Sequence, residues 1–520
     1  MGSASNVYFS LLAVVGVYYA LYWVMNGGLV GYGLLRSGRM RRRQFMHTLI
    51  AGDEQPSLTV IIPAYNEQAT IVSVVQSTLR LPTVTAVVVV DDGSADDTAA
   101  VLINEYQLTP TTLTAHSELS GTAVQQAWAT SGVPLTLISC TNGGKASAIN
   151  VGVNHTDTTL VAVVDADTRL EASGVAAVVN EFRAHPATVA ASGSMRVANT
   201  AHPHTKKRAL VEWVQTLEYV RAFAGWRAAW SQAATQILIS GGFGVFRADA
   251  VRAVGGFDVD SIGEDFEFTM RMQRCGDLPV DAEVRYIPVT ACWTYAPDRL
   301  AALTKQRRRW QQGLAQTLTR HRGAWSRRRG SAGTVALSMM WVFELVGPIV
   351  EVASWVLLAI GWRSGFLSTV AVLGVVVTSG LLAVAVSALS VAADYSPADG
   401  HTPRQAWTLV GAAALEGLGY RQWMVVVRVA AMLSMRNGVD AWDSMPRDAA
   451  ALTVNSDADD EMQHPNVSDY PGSTARRAVA APARDELPTV SGREVITARI
   501  ALRRRGVSER VTPPISTTTK

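Results

Sequence analysis

The sequence predicts a mostly parallel α/β domain set between membrane-spanning α-helices. Three observations carry that prediction. Strand-like and helix-like runs alternate from Leu58 to Asp165, the order that builds a parallel sheet. Val7 to Leu35 holds no charged residue, and about 20 apolar residues span a bilayer. Three more apolar blocks, 334–360, 366–393 and 406–435, follow far downstream. Charged residues make up only 17% of the chain, against roughly 25% in soluble domains, and the mean hydropathy is +0.14.

The first apolar run is too long for a signal-peptide core and lacks an obvious cleavage pattern, so it reads as an uncleaved helix. Arg36, Arg39 and Arg41 to Arg43 follow it. Arg307 to Arg309, Arg320, Arg322 and Arg327 to Arg329 precede the second run. Basic flanks on both sides place the intervening domain in the cytoplasm, under a plasma membrane. The block at 334–360 carries Glu344, Pro348 and Glu351, and 366–393 carries no charge. The block at 406–435 carries Glu416, Arg421 and Arg428 with Gly417 and Gly419 near its middle. It reads either as one kinked helix or as a span followed by an interfacial helix. The expected domains are 1–43, an anchor with its basic flank; 44–330, the cytoplasmic domain; 331–436, the C-terminal helices; and 437–520, a mostly disordered tail of low apolar periodicity.

The net charge of +3 and the lack of a basic stripe interleaved with aromatics argue against nucleic acid as a partner. Cys140, Cys275 and Cys292 lack metal or disulfide-framework spacing and fit a reducing compartment.

The elements of the soluble domain follow in order. Residues 58–63 and 86–92 read as buried strands, and 67–79 as a helix with Ile71, Val74, Val75 and Thr78 on one side. Residues 97–106 read as a helix, 134–140 as a strand, 145–153 as a helix and 160–165 as a fourth strand. In such sheets ligands bind beyond the carboxyl ends of the strands. Asp91, Asp92, Asp165 and Asp167 all fall there.

Each strand end offers chemistry beside a plainer alternative. In PAYNE, Tyr65 and Glu67 can hold a ribose or base, or Asn66 simply caps a helix. In DDGS, Asp91 and Asp92 can accept hydrogen bonds from a uracil N–H or a ribose hydroxyl, or the motif is an ordinary turn. In GGKASAIN, backbone N–H groups and Lys145 suit a phosphate, though the P-loop spacing is absent; the alternative is a solvated lysine. Asp165 and Asp167, one residue apart, suit Mg²⁺ or Mn²⁺, hard cations that take oxygen ligands.

Downstream, the Gly-dense 240–258 segment with its aromatics suits a sugar acceptor or a tight turn. Glu264 and Asp265 begin a helix, where acidic residues are favoured by the dipole in any case; as a functional pair, Asp265 is the general base and Glu264 its neighbour. In QRRRW, Trp310 can stack on a sugar, while Arg309 and Gln306 can reach the same side; Arg307 and Arg308 read as positive-inside charges. The stretch 205–230 reads either as an interfacial amphipathic helix or as a partly buried helix.

PAYNE, DDGS, DAD, GED and QRRRW, in that order between apolar spans, resemble the processive family 2 glycosyltransferases, the group of cellulose, hyaluronan, chitin-oligosaccharide and poly-N-acetylglucosamine synthases. The resemblance covers roughly residues 55 to 315. It implies a GT-A fold with a Rossmann-like nucleotide-sugar site, a UDP-sugar donor, a divalent metal and inversion to a β-linkage. It also implies a growing polysaccharide passed through a channel of the enzyme's own membrane helices. On this chain it assigns uridine to the DDGS carboxylates, and metal and diphosphate to Asp165 and Asp167. Asp265 becomes the base, and Gln306, Arg309 and Trp310 hold the acceptor end and the diphosphate. Glu344, Glu351, Glu416 and Arg428, charges at membrane depth, are expected in part to face that channel. LEY at 217–219 and EGLGYR at 416–421 look similar to the poly-N-acetylglucosamine synthases, which favours UDP-N-acetylglucosamine and an exported exopolysaccharide. An accessory secretion or regulatory subunit would be compatible with this. The alternatives are a cellulose- or hyaluronan-like product, transfer of one sugar to a lipid, and a transporter or scaffold with an inactive transferase domain.

Overall fold

The structure is a computed structural model. It describes residues 2–50, 56–198, 206–232, 236–273, 278–279, 281–322, 335–395 and 402–435. The expected tail 437–520, Cys275 and Arg327 to Arg329 lie outside these residues.

A long helix, α1 (Gly2–Ile50), leads into the domain. Then come β1 (Leu58–Ala64), α2 (Ile71–Leu79), β2 (Ala86–Asp91), α3 (Thr98–Tyr106), β3 (Thr109–Thr111), β4 (Val124–Ala129) and β5 (Leu135–Cys140). The next elements are α4 (Lys145–Asn154), β6 (Leu160–Val164), β7 (Arg169–Leu170), α5 (Ala172–Ala184) and β8 (Thr188–Val197). A helix α6 (Lys206–Val220) runs through a π-helical turn (Arg221–Arg227) into α7 (Ala228–Gln232), followed by β9 (Phe243–Arg247), α8 (Ala248–Ala253), α9 (Glu264–Met272), β10 (Glu283–Thr294) and α10 (Leu300–Arg320). The chain then passes through α11 (Leu337–Met339), a second π-turn (Met340–Leu345), α12 (Gly347–Arg363), α13 (Thr369–Asp394), α14 (Pro403–Glu416) and α15 (Tyr420–Ser434).

The strands form one ten-stranded sheet in the order β3-β4-β5-β2-β1-β6-β9-β8-β10-β7. Its centre, β5-β2-β1-β6, is parallel as the alternating pattern predicts. The sheet as a whole is mixed, because β9 runs antiparallel to β6 and β8, and β3, β4 and β7 also pair antiparallel. Buried strands alternate their side chains between two apolar layers. Leu58, Val60 and Ile62 pack with α2, α3 and α5, whereas Ile61 faces α4 and α8. That two-sided burial explains the continuous apolar runs, since strands covered by helices on both faces need no polar side. This is the arrangement that the GT-A resemblance implies, and the carboxyl ends of β1, β2 and β6 lie along one edge of the sheet.

Among the described residues three helical stretches are long and apolar enough to cross a membrane: Ser5–Leu35, Leu337–Arg363 and Thr369–Asp394. The block 406–435 is not a fourth. Gly417 to Gly419 divide it into α14 and α15, and Gly419 takes φ +119. In the stretch 206–230, α6 is partly buried, with Glu212, Val214, Gln215 and Leu217 all covered, and its Leu217 and Val220 pack on Val391 of α13 and Leu409 of α14. The helix around 67–79 starts four residues later than expected, at Ile71. Asn66, at φ 55, does not cap it; its Oδ1 accepts the Ala95 N–H at 2.8 Å.

Candidate active site

The site gathers where three chain reversals meet: the end of β6, the start of α4 and the start of α9. Gly144, at φ +85, turns the chain so that Lys145 opens α4. The Lys145 ammonium lies 2.6 Å from Asp165 Oδ1 and 3.2 Å from Glu264 Oε1, and donates to the Gly241 carbonyl at 3.2 Å. Asp265 is fixed by backbone: its Oδ2 accepts the Gly241 N–H at 2.8 Å and its Oδ1 accepts the Phe266 N–H at 2.7 Å. DAD, GED and the Gly-dense segment, far apart in sequence, thus share one polar cluster.

Burial and charge set the protonation of this cluster. Burial opposes the Lys145 ammonium, but Asp165 and Glu264 outweigh it and raise its pKa. Burial raises Asp165, with Lys145 pulling against it. Burial and then the negative charge of Glu264 push Asp265 above the usual carboxylate range, while Lys145 and the two backbone N–H donors oppose the rise.

A cavity of about 700 Å³ opens beside these residues, within the size range of ligand sites, roughly 300–1,000 Å³. Glu67, Lys145, Asp165, Asp167, Glu264 and Asp265 line one end, and Gln306, Arg309 and Trp310 line its flank. The same space continues between the apolar helices to Tyr18, Tyr22 and Trp23 of α1 and to Glu344, Glu351, Glu416 and Arg428. The charges there are paired: Arg428 with Glu344 at 2.9 Å, Arg421 with Glu351 at 3.1 Å, and Arg221 with Glu416 at 2.6 Å.

The structure departs from the sequence reading at the second strand. Asp91 and Asp92 are 4% and 0% exposed and do not line the cavity. Asp92 accepts the Gly143 and Gly144 N–H groups, each at 2.8 Å, and Asp91 accepts from the Ser94 N–H and the Ser139 hydroxyl. The Asp92 carboxylate thus holds the loop that presents Lys145, and Asp91 ties the end of β2 to Ser94 and Ser139. Tyr65 sits at the β1 end but outside the cavity wall.

In QRRRW, Arg307 lines the cavity as well. It pairs with Glu218 at 2.5 Å, and its guanidinium lies 4.4 Å from the Trp310 ring centroid. Glu218 also accepts from the Tyr420 hydroxyl at 3.3 Å. Sequence reasoning passed over Glu218, Arg221 and Arg307 as site residues. Glu218 and Arg307 lie within LEY and QRRRW, motifs whose residue-by-residue roles the sequence did not separate, and Arg221 carried no motif.

Asp165 and Asp167 suit a divalent ion. Among the described residues no cluster of three acidic, His or Cys ligands exists, but Mg²⁺-like ions need only one or two carboxylates when substrate phosphates complete the shell. Asp165 already balances a cation, the Lys145 ammonium.

An acidic pair at the end of β6 and a carboxylate at the start of α9 line the same cavity, and the family matches identify the chain as a glycosyltransferase. The family model described as Glycosyl transferase family 2 matches residues 59–232, and that described as Glycosyl transferase family group 2 matches residues 160–383. The chain carries the domains of glycosyltransferase family 2. It is 25% identical to the poly-beta-1,6-N-acetyl-D-glucosamine synthase of Staphylococcus epidermidis over 370 residues, covering 70% of this chain and 77% of the relative. It is 26% identical to the synthase of the same name from Staphylococcus aureus (strain COL) over 314 residues, covering 60% of this chain and 67% of the relative. Among solved structures, the mannosyltransferase PcManGT from Pyrobaculum calidifontis in complex with GDP-Man and Mn²⁺ aligns at a TM-score of 0.46 and 20% identity, over 79% of this chain and 99% of that one.

Proposed function

We propose that this chain is a membrane-embedded, inverting and processive β-glycosyltransferase that extends an exopolysaccharide from a UDP-sugar, with UDP-N-acetylglucosamine the best-supported donor. The continuity of one cavity from the Asp165–Lys145–Asp265 cluster to the paired charges between the apolar helices carries the reading. A polymer end held at Trp310 has a polar path away from the domain, and that path favours polymer export over single transfer to a lipid. The likeness to poly-N-acetylglucosamine synthases supports the donor.

In this reading the donor diphosphate lies against Lys145 and Arg309, and Asp165 and Asp167 are the residues that would hold Mg²⁺ or Mn²⁺. Such an ion would neutralise charge on the leaving diphosphate. Asp265 accepts the proton of the acceptor hydroxyl as its oxygen attacks C1 of the donor sugar; the C1–O bond to UDP breaks on the opposite face and the anomeric centre inverts. The raised pKa of Asp265 suits a base that must take a proton near neutral pH. Glu264 tunes Asp265 and holds Lys145. Gln306 and Trp310 hold the acceptor sugar, and Glu67 borders the donor. The catalytic domain lies in the cytoplasm, where UDP-sugars are made.

The test is UDP release by the purified full chain in nanodiscs, with Mg²⁺ or Mn²⁺, across UDP-glucose, UDP-N-acetylglucosamine, UDP-glucuronate and their mixtures, with product length read on a gel. Metal-dependent release with UDP-N-acetylglucosamine and long product is expected. Release with only single-sugar product sinks processivity, and release only with another donor sinks the donor assignment.

A further inference from the structure

The pair α14 and α15 has an unusual position. With 14 and 15 residues the two helices are about 21 and 22 Å long at about 1.5 Å per residue, short of the roughly 30 Å hydrocarbon core. Their depth can be read against α13. The inner end of α13 is fixed to the catalytic sheet, where Arg196 of β8 pairs with Asp394, one bond measuring 3.0 Å. Arg221, the partner of Glu416 at the end of α14, also donates to Ser387 Oγ at 3.2 Å. Ser387 lies about 10 Å along α13 from Asp394 and about 27 Å from Thr369 at its far end. The turn after Glu416 therefore reaches about a third of the way in. Arg421, just past the turn, pairs with Glu351, which stands about 21 Å along the 337–363 stretch from Leu337 and about 18 Å short of Arg363, so this side of the hairpin reaches about halfway and no farther. At its other end α15 returns to the domain: Ser434 Oγ accepts from Arg308 at 3.3 Å and from Gln312 at 3.2 Å, both on α10.

The turn itself is built for an apolar surround. Gln422 accepts the Gly419 N–H at 2.9 Å and donates to the Gly417 carbonyl at 2.9 Å. Its side-chain amide thus satisfies turn groups that a bilayer would leave unbonded. The outer face is bare and apolar: Trp407, Leu418 and Leu433 are 74%, 80% and 72% exposed. The charges Glu416, Arg421 and Arg428 point to the cavity instead.

We propose that α14 and α15 form a re-entrant hairpin seated in the lipid bilayer, entering and leaving on the catalytic side. The chain then crosses the membrane three times, through α1, through the 337–363 stretch and through α13, and residue 435 emerges beside the catalytic domain. This rests on the membrane-embedded reading above. It makes the hairpin one wall of the polymer path rather than a fourth crossing.

Single cysteines at four exposed positions test it in sealed vesicles of both orientations, with a membrane-impermeant maleimide read against the parent chain. Ser131→Cys marks the catalytic domain, Ser364→Cys the turn between α12 and α13, Arg404→Cys the start of the hairpin and Leu418→Cys its tip. UDP release serves as the folding control. Ser131→Cys and Arg404→Cys are expected to react from one face, Ser364→Cys from the other, and Leu418→Cys from neither until detergent is added. An epitope after Lys520 is expected on the Ser131 face. Reaction of Leu418→Cys from the Ser364 face, or the epitope on that face, means a full crossing and overturns the proposal. Reaction of Leu418→Cys together with Arg404→Cys means a surface hairpin and overturns it equally. Ser131→Cys and Ser364→Cys reacting from one face removes the spanning reading itself, a pattern distinct from the other two.

Discussion

At the scale of single residues, the cluster works through opposed effects on one carboxylate. Asp265 is held by two backbone donors and pushed toward protonation by burial and Glu264. Removing it as a base should lower the rate by about 10²–10⁴-fold. Asp265→Asn is thus expected to lose UDP release while retaining nucleotide binding in a titration; full polymer output would sink the catalytic assignment. The raised pKa also fixes the sign of a pH effect. Asp265 must be ionised to accept a proton, so activity rises with pH through its pKa, at a pH above the ordinary aspartate value. Glu264→Gln removes the neighbouring negative charge and leaves Lys145 free to favour the ionised form. The acid limb of kcat should therefore move to lower pH, and an unmoved or raised limb would show that Glu264 does not tune the base.

At the scale of elements, α9 and α10 meet almost backbone to backbone. A Cβ on Gly313 would stand 3.0 Å from the Gly263 backbone, and Gln316 Oε1 accepts the Ile262 N–H at 2.9 Å. The helix that carries Trp310 thereby fixes Ile262 and Gly263, which lead into the first turn of α9 where Asp265 stands. Gly313→Val should force the two apart, costing about 1–3 kcal/mol of stability by overpacking and lowering kcat more than it raises the donor KM. Equal kinetics with a lowered Tm would leave the contact as packing alone. Between the helices, Arg221 and Glu416 form a pair that is mostly withdrawn from solvent. Breaking such a pair from one side costs roughly 3–5 kcal/mol at full burial, and less here because the cavity admits water. Glu416→Gln should lower thermal stability clearly, and the double change with Arg221→Met should recover most of it, as followed by Tm in nanodiscs.

For the whole molecule, one cavity is lined by the ends of the sheet, α10 and the apolar helices, and the proposal places donor site and exit path within it. If Asp165 and Asp167 hold a divalent ion against the donor, as proposed, chelation should silence UDP release without unfolding the chain, and Mg²⁺ or Mn²⁺ should restore it. Release that continues in chelator, with UDP freed at the same rate, would remove the metal from the reaction.

The parallel centre of the fold was legible because its strands are covered on both faces and read as unbroken apolar runs. β9 was not, since Phe243–Arg247 lies in a Gly-dense segment that resembles a loop; β3 and β7 are too short to carry a period. Asp165, Asp167, Lys145 and Asp265 were legible from residue type at strand ends and helix starts, a local property. The inward turn of Asp91 and Asp92 was not, because two carboxylates at a strand end look alike whether they meet a ligand or a loop's N–H groups. The chain order by itself determined the class of chemistry and the flanking apolar helices, which follow from local composition and spacing. Only the tertiary structure decided which charges pair. Arg307 with Glu218, Arg221 with Glu416 and Arg421 with Glu351 are joined across long stretches of sequence, and electrostatic partnership depends on distance in space, which no run of neighbours encodes.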